Sequence, residues 1–209
     1  MIAFTFSGAL FALDARRQLV VEEVNAIGTA FLRLDLIDDP TERQLLQKLL
    51  KEYVNSRIRL WAKMSHRSAA LAEVTVACAL QREIWSVAIT ATERPELESE
   101  RLLVLPALNE TFDLATARTI AVQTHPPTLI YGALFGLASI AAFLVGFSMA
   151  KSIRIHRLHV VAFACVTAFM FYMILDIDRP RIGLVRLDTV HSLFSELEQS
   201  MVDRIERRD

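Results

Sequence analysis

The chain has 209 residues, 53% of them hydrophobic, and its mean hydropathy is +0.35. A clearly positive mean hydropathy in a chain of this length suggests membrane-spanning segments. Lys and Arg number 23 against 24 Asp and Glu, which excludes the basic excess expected of a general nucleic-acid binder. The two cysteines, Cys78 and Cys165, supply neither a disulfide framework nor a CxxC zinc pair.

Residues 1–13 carry no charged side chain. A helix of this length is about 20 Å long, which is too short to cross a bilayer core of about 30 Å. Because the basic start and cleavage site of a signal peptide are missing, we interpret the segment as the latter part of a membrane helix, with a short half-span as the alternative. Apolar residues then recur every three or four positions over 16–36 without a breaker, so one long helix is expected to continue into water.

Residues 14–126 are predicted to form a soluble helical region. Asp39 is expected to cap its second helix, with Pro40 in the first helical position. Further helices are expected over about 68–92 and 96–124, and Pro106 should kink or split the latter.

Two apolar runs, 128–150 and 158–176, lie within a membrane segment predicted to cover 127–177. A span needs roughly 20 helical residues, so the first run is comfortably long and the second is at the lower limit. The basic linker KSIRIHR is short, which predicts an antiparallel transmembrane hairpin. The remaining residues, 178–209, are predicted to form a turn and an amphipathic helix. The predicted fold is therefore an all-α membrane protein: long N-terminal helix, soluble helical domain, transmembrane hairpin and C-terminal amphipathic helix.

Motifs for catalysis are missing from the sequence. It contains no HExxH, GxSxG, Walker or GxGxxG pattern, and its five histidines do not cluster at metal-ligand spacing. No nucleophile–base pair can be defended. We therefore expect no enzymatic activity, no cofactor and no metal site.

Polar residues just beyond the first apolar segment form one candidate site. Glu22, Glu23 and Asn25 would suit a pore mouth, but a solvated or interhelical face of the long helix is favoured. We expect Arg179 or Arg181 to pair with an acidic residue of the soluble helices, with Glu22 and Glu23 as candidates, and to lock the soluble region to the membrane edge.

A second candidate is the charged cluster Asp176, Asp178, Arg179 and Arg181, which follows the last apolar run. One interpretation is an ion-attracting vestibule. A membrane-edge stop signal with Asp–Arg pairing is favoured, because charges cost less at helix ends than in the middle of a bilayer.

Four stretches carry a family resemblance. They are FTFSGALFALDARRQLVVEEVNAIGTAFLRLDLI from Phe4, RQLLQKLLKEYVNSRI from Arg43, LNETFDLATAR from Leu108 and LDIDRPRIGLV from Leu175. Together they resemble the bestrophin-like domain family of bacterial membrane proteins. The resemblance implies two membrane helices, a soluble helical region and two more membrane helices. Against that pattern, we expect this chain to lack the first helix and part of the second.

The resemblance also suggests a function. True bestrophins are pentameric anion channels whose second membrane helix lines an apolar neck. By comparison we expect a homo-oligomer in the bacterial inner membrane, with several spans. The number of arginines near the membrane edge favours the cytoplasm for the helical region, whereas the dense positive charge of the hairpin loop favours the opposite orientation. Phe4, Gly8 and Phe11 would face the axis of a ring that conducts anions such as chloride. A non-conducting membrane scaffold or partner-binding protein is the alternative.

Overall fold

The computed structural model describes residues 2–63, 66–124, 128–149, 157–178 and 188–207, and these residues form helices and turns without strands. The all-helical class predicted from the sequence is confirmed for this part of the chain. Its seven α-helices, in chain order, are α1 (Ile2–Arg33), α2 (Pro40–Lys63), α3 (Arg67–Ala91), α4 (Glu98–Gln123), α5 (Thr128–Met149), α6 (Arg157–Asp178) and α7 (Asp188–Glu206). Short 3-10 turns, Leu34–Leu36 and Pro95–Leu97, follow α1 and precede α4.

The first two helices form as the sequence predicts. α1 runs unbroken from Ile2 to Arg33, so the apolar start and the amphipathic stretch are one helix. Asp39 Oδ1 accepts hydrogen bonds from the backbone N–H groups of Thr41 at 2.8 Å and Glu42 at 3.3 Å. Pro40 occupies the first position of α2, where a missing N–H costs nothing. The predicted N-cap is therefore confirmed.

Pro106 lies inside α4 and does not split it. Its ring removes the N–H that would bond the carbonyl of Leu102 and disturbs the neighbouring turn. The next carbonyl, that of Leu103, accepts a hydrogen bond from Arg33 Nη1 at 2.9 Å. A side chain from α1 thus contacts the backbone of α4 next to the turn that the proline disturbs.

The chain separates into two compact units. We call Met1–Ala15 with Val122–Arg186 the apolar unit, and Arg16–Ala121 with Leu187–Asp209 the bundle unit. The bundle unit buries one apolar face of each of its helices. The larger buried side chains are Val20, Ile27, Phe31, Leu34, Leu46, Leu50, Tyr53, Val54, Ile84, Val104, Leu108, Phe194 and Met201.

The apolar unit holds α5 and α6, whose surfaces stay mostly exposed. Among the described residues, one helix is long and apolar enough to cross a membrane: its stretch Leu129–Ser148 has a mean hydropathy of 2.1 and is 6% buried. The apolar stretch of α6, Val160–Asp176, is shorter. At 1.5 Å per residue it is about 25 Å long, below the usual bilayer core thickness. The sequence therefore identified both apolar helices, but only the first meets the length of a span.

Candidate functional site

Glu23 is a fully buried carboxylate in the bundle unit. It lies on the face of α1 that also buries Val20 and Ile27, at spacings of three and four residues. The helical repeat therefore points this acid into the core. Because an unpaired buried carboxylate is costly, its position requires partners of opposite charge.

Two arginines from other helices supply those partners. Arg57 of α2 donates from Nε to Glu23 Oε1 at 2.7 Å, and Arg118 of α4 donates from Nη1 to Glu23 Oε2 at 2.5 Å. Both guanidinium groups are themselves buried. Arg57 also reaches the Ala115 carbonyl at 3.5 Å through Nη2. We call Glu23, Arg57 and Arg118 the buried ion cluster; it joins α1, α2 and α4 at one point.

Two aromatic rings contact the buried ion cluster, and one of them belongs to a fourth helix. The guanidinium carbon of Arg118 lies 5.4 Å from the ring centroid of Trp61 and 5.0 Å from that of Phe194. Both distances are typical of cation–π contacts, which gain strength when they are shielded from water. Phe194 belongs to α7 and is buried. The last helix therefore covers the buried ion cluster.

The charges of the cluster do not balance, since two guanidinium groups share one carboxylate. Burial lowers the pKa of Arg118, and the positive charge of Arg57 adds to this against the attraction of Glu23. Burial acts on Arg57 in the same direction, but Glu23 outweighs it and raises the pKa of Arg57 above its ordinary value. Arginines remain protonated at physiological pH. The buried ion cluster therefore carries about one net positive charge in the core, next to α1.

Tyr53 closes the cluster on the α3 side. Burial raises the pKa of its phenol to about 12, so the ring stays neutral. Its hydroxyl accepts a hydrogen bond from Gln81 Nε2 at 3.2 Å, and its ring meets Phe112 edge-on at 6.0 Å. These contacts wall off the ion pairs from water, which strengthens them electrostatically.

The buried ion cluster is suited to holding charge in place and not to transferring protons. Both carboxylate oxygens of Glu23 are occupied by guanidinium donors, so the acid is poorly placed to take a proton from a substrate. In the part of the chain that the structure describes, no group of three His, Cys, Asp or Glu side chains could hold a metal ion. What the arrangement does is orient α1 against α2, α4 and α7.

The structure spreads the sequence-predicted site residues over different surroundings. Glu23 is interhelical, Asn25 is exposed, and Glu22 is half-buried and accepts a hydrogen bond from Gln18 at 2.8 Å. Asp176 is buried near the end of α6. The side chain of Asp178, together with Arg179 and Arg181, lies outside the described residues, so their expected pairing stays a prediction.

The candidate pore-facing residues lie at the start of α1. Phe11 is 73% exposed, and a Cβ added at Gly8 would have no neighbour within 4 Å. The side chain of Phe4 lies outside the described residues. Ala9 and Leu13, between and after these positions, are buried. Gly8 and Phe11 therefore lie on a face that the described part of the chain leaves open.

Sequence reasoning missed Arg57 and Arg118, although a signal was present. Arg118 continues the buried stripe of α4 that runs through Leu108, Thr111 and Ala115, at spacings of three and four. Arg57 follows Leu50 and Val54 on the buried stripe of α2 in the same way. A charged residue at a core position of a helical repeat indicates a buried ion pair.

Comparison with known proteins places this architecture in a class. The described residues form an all-helical architecture in which α1 begins with an apolar segment. Two apolar helices, α5 and α6, precede α7, the last helix of the bundle unit. The model of the Bestrophin-like domain family matches residues 1–191, so the chain belongs to that family. The resemblance seen in the sequence is thereby confirmed. No curated protein and no solved structure matches the chain.

Proposed function

We propose that the chain is a subunit of a ring-shaped membrane channel for anions such as chloride. The observation that carries the proposal is the open face at the start of α1. Ala9 and Leu13 are buried within the apolar unit, while Phe11 is largely exposed. At about 100° per residue, Phe11 lies opposite the midpoint of those two residues, and Phe4, seven positions earlier, shares its face. An apolar helix face that the described residues leave uncovered suits the neck of an assembly.

The surface of the apolar unit supports placement in a membrane. Burying apolar surface is worth about 25 cal/mol per Å², so large exposed side chains along a whole helix favour a lipid environment. On α5 these include Phe135, Phe143 and Phe147. We assign α5 and α6 as spans in the bacterial inner membrane, the shorter α6 crossing with local thinning of the bilayer. The bundle unit is assigned to the cytoplasm.

Electrostatics bear on the conducted ion. The buried ion cluster contributes about one net positive charge behind α1 in every copy, and a ring of copies adds these charges to a potential that attracts anions. Glu22, half-buried on the same helix, works against it. An apolar neck itself gates by dewetting and leaves ion selection to such surrounding charges. True bestrophins, which the family resembles, conduct anions through a neck of this kind.

The test is chloride flux into liposomes that contain the purified, verified oligomer. Phe4→Ala and Phe11→Ala should each raise flux, because a smaller side chain widens and hydrates the neck. Phe135→Ala is the matched control: this phenylalanine is exposed on α5, where we expect it to face lipid. It should leave flux unchanged.

The outcomes separate the channel from the role of α1. Flux no greater than that of empty liposomes would reject the channel and leave the non-conducting scaffold. Flux that neither α1 substitution alters would keep a channel and reject this helix as its neck. Potassium flux without chloride flux would reject the anion assignment alone.

A further inference from the structure

The exposed face of α1 continues past Phe11 without changing direction around the helix. At about 100° per residue, Gln18 lies about 20° from Phe11, Asn25 about 40° from it, and Thr29 in line with it. All three are exposed, whereas Ile27, on the opposite side, is fully buried in the bundle unit. Because α1 is one unbroken helix, the face proposed for the neck and the exposed face within the bundle unit are the same face.

This face changes from apolar to polar beyond the apolar start of α1. Gln18, Glu22, Asn25 and Thr29 follow one another at spacings of four, three and four, so they form a single stripe. We call these four residues the α1 polar stripe. It extends over about 17 Å of the helix axis. In the proposed ring, an ion that has passed the neck moves along these side chains.

Glu22 is the one charged member of the α1 polar stripe. Its Oε1 accepts a hydrogen bond from Gln18 Nε2 at 2.8 Å. The amide is neutral, so this bond orients the carboxylate without cancelling its charge. Asp14 and Arg33, which flank the stripe, lie about 12 and 17 Å away along the axis, beyond the screening length of about 8 Å in physiological salt. Arg17 is closer in sequence but lies about 140° away around the helix.

An opposite charge lies at the same level of α1. Glu23, the next residue, belongs to the buried ion cluster, which carries about one net positive charge. The carboxylate of Glu22 opposes that charge from the side of the open face. Without Glu22, the positive cluster would dominate the potential at this level in every copy of the ring. Conduction requires that an ion be attracted strongly enough to enter a pore and weakly enough to leave it.

We propose that Glu22 is a specificity-determining residue of the anion pathway. Its carboxylate offsets the buried ion cluster, so that anions pass the α1 polar stripe without being held there, and its charge limits how strongly the pore prefers anions over cations. This inference rests on the proposed function and names the residue that tunes its ion selection.

Reversal potentials of the assembled, full-length protein in planar lipid bilayers test the proposal. Under a gradient of potassium chloride, the potential of zero current reports the permeability ratio of chloride to potassium. Glu22→Gln should raise this ratio about twofold or more, because each copy loses a negative charge that faces the pathway. Glu110→Gln is the matched control: it removes the same charge from an exposed position on α4 and should leave the ratio unchanged.

Charges added at Asn25 give the test a second arm with opposite signs. This residue is exposed on the α1 polar stripe, one turn after Glu22. Asn25→Lys should raise the permeability ratio of chloride to potassium, and Asn25→Asp should lower it. A general structural defect would not move the ratio in opposite directions in these two variants. The pair also keeps the proposal testable if Glu22→Gln assembles poorly.

The outcomes separate this inference from the proposed function. Currents with the same reversal potential in the wild type and in all the α1 variants would overturn the role of Glu22 and keep the channel. Equal shifts in Glu22→Gln and Glu110→Gln would assign the effect to overall charge and overturn that role as well. A verified wild-type oligomer without any current would overturn the proposed function, and this inference with it.

Discussion

Glu23 balances two buried guanidinium groups, so the stability of the bundle unit is expected to depend strongly on it. Replacing it by glutamine preserves its shape but removes the charge that holds Arg57 and Arg118. Removing one partner of a buried ion pair typically costs about 3–5 kcal/mol, since the remaining charge stays buried without compensation. We therefore expect Glu23→Gln to lower the free energy of unfolding by an amount in that range, measured by thermal or denaturant unfolding in detergent.

The neighbouring Glu22 supplies the control for this substitution. It is half-buried, and its one described hydrogen bond comes from Gln18 on the next turn. Glu22→Gln should change stability by no more than about 0.5 kcal/mol, as is usual for surface positions. Equal losses in the two variants would show that the ion cluster contributes no more than an ordinary surface charge.

At the level of helices, the first turn of α2 depends on the Asp39 carboxylate. The backbone N–H groups of Thr41 and Glu42 hold the pKa of Asp39 below its ordinary value. A lowered folded-state pKa means that the cap stabilises the helix above the unfolded value, about 4, and is lost as pH falls through the folded value. Amide exchange at Thr41 and Glu42 should therefore accelerate, relative to mid-helix amides, only in acid.

Asp39→Asn separates the charge of the cap from its hydrogen bonds. Asparagine also caps helices well, so slow exchange at Thr41 should persist in this variant while its acid dependence disappears. Asp39→Ala should accelerate exchange at every pH. An acid dependence that survives in Asp39→Asn would assign the effect to another group.

Helices were predictable from the sequence because their signals are local. The apolar repeat of α1 and the Asp39-Pro40 start of α2 depend on neighbours within a turn or two. The ion cluster was not predictable in this way: Arg57 and Arg118 lie 34 and 95 positions from Glu23 along the chain. Only the packing of whole helices decides which of many charged residues meet. The hydrogen bond to the Leu103 carbonyl shows the same limit, because its donor, Arg33, belongs to another helix.

For the whole molecule, the proposed membrane placement predicts a topology. If α5 and α6 cross the bilayer as a hairpin, the chain before α5 and the chain after α6 lie on one side. Cysteines introduced at Asp113 and Ser192, both exposed positions, should then react with an impermeant maleimide from the same side in the background lacking Cys78 and Cys165. Labelling from opposite faces would exclude the hairpin.

A second cysteine position on α4 provides an internal control for the labelling experiment. A cysteine at Glu110, exposed on α4 like Asp113, should label from the same side as Asp113 in every preparation. Disagreement between these two would indicate leaky vesicles rather than a second topology. Agreement between them, with Ser192 on the opposite side, would place one crossing between α4 and α7 instead of two.

The docking of α7 has a consequence for the order in which the protein is made. Arg204 binds Asp35 across 169 positions of sequence, and Phe194 covers Arg118. The ribosome produces α5 and α6 before α7, so the apolar pair emerges while the bundle is still open and Arg118 lacks its lid. If α5 and α6 are membrane spans, as proposed, they become available for insertion before the bundle unit can close. A chain stalled between α6 and α7 would then be anchored but unfinished, with its buried charges reachable by water and by chaperones.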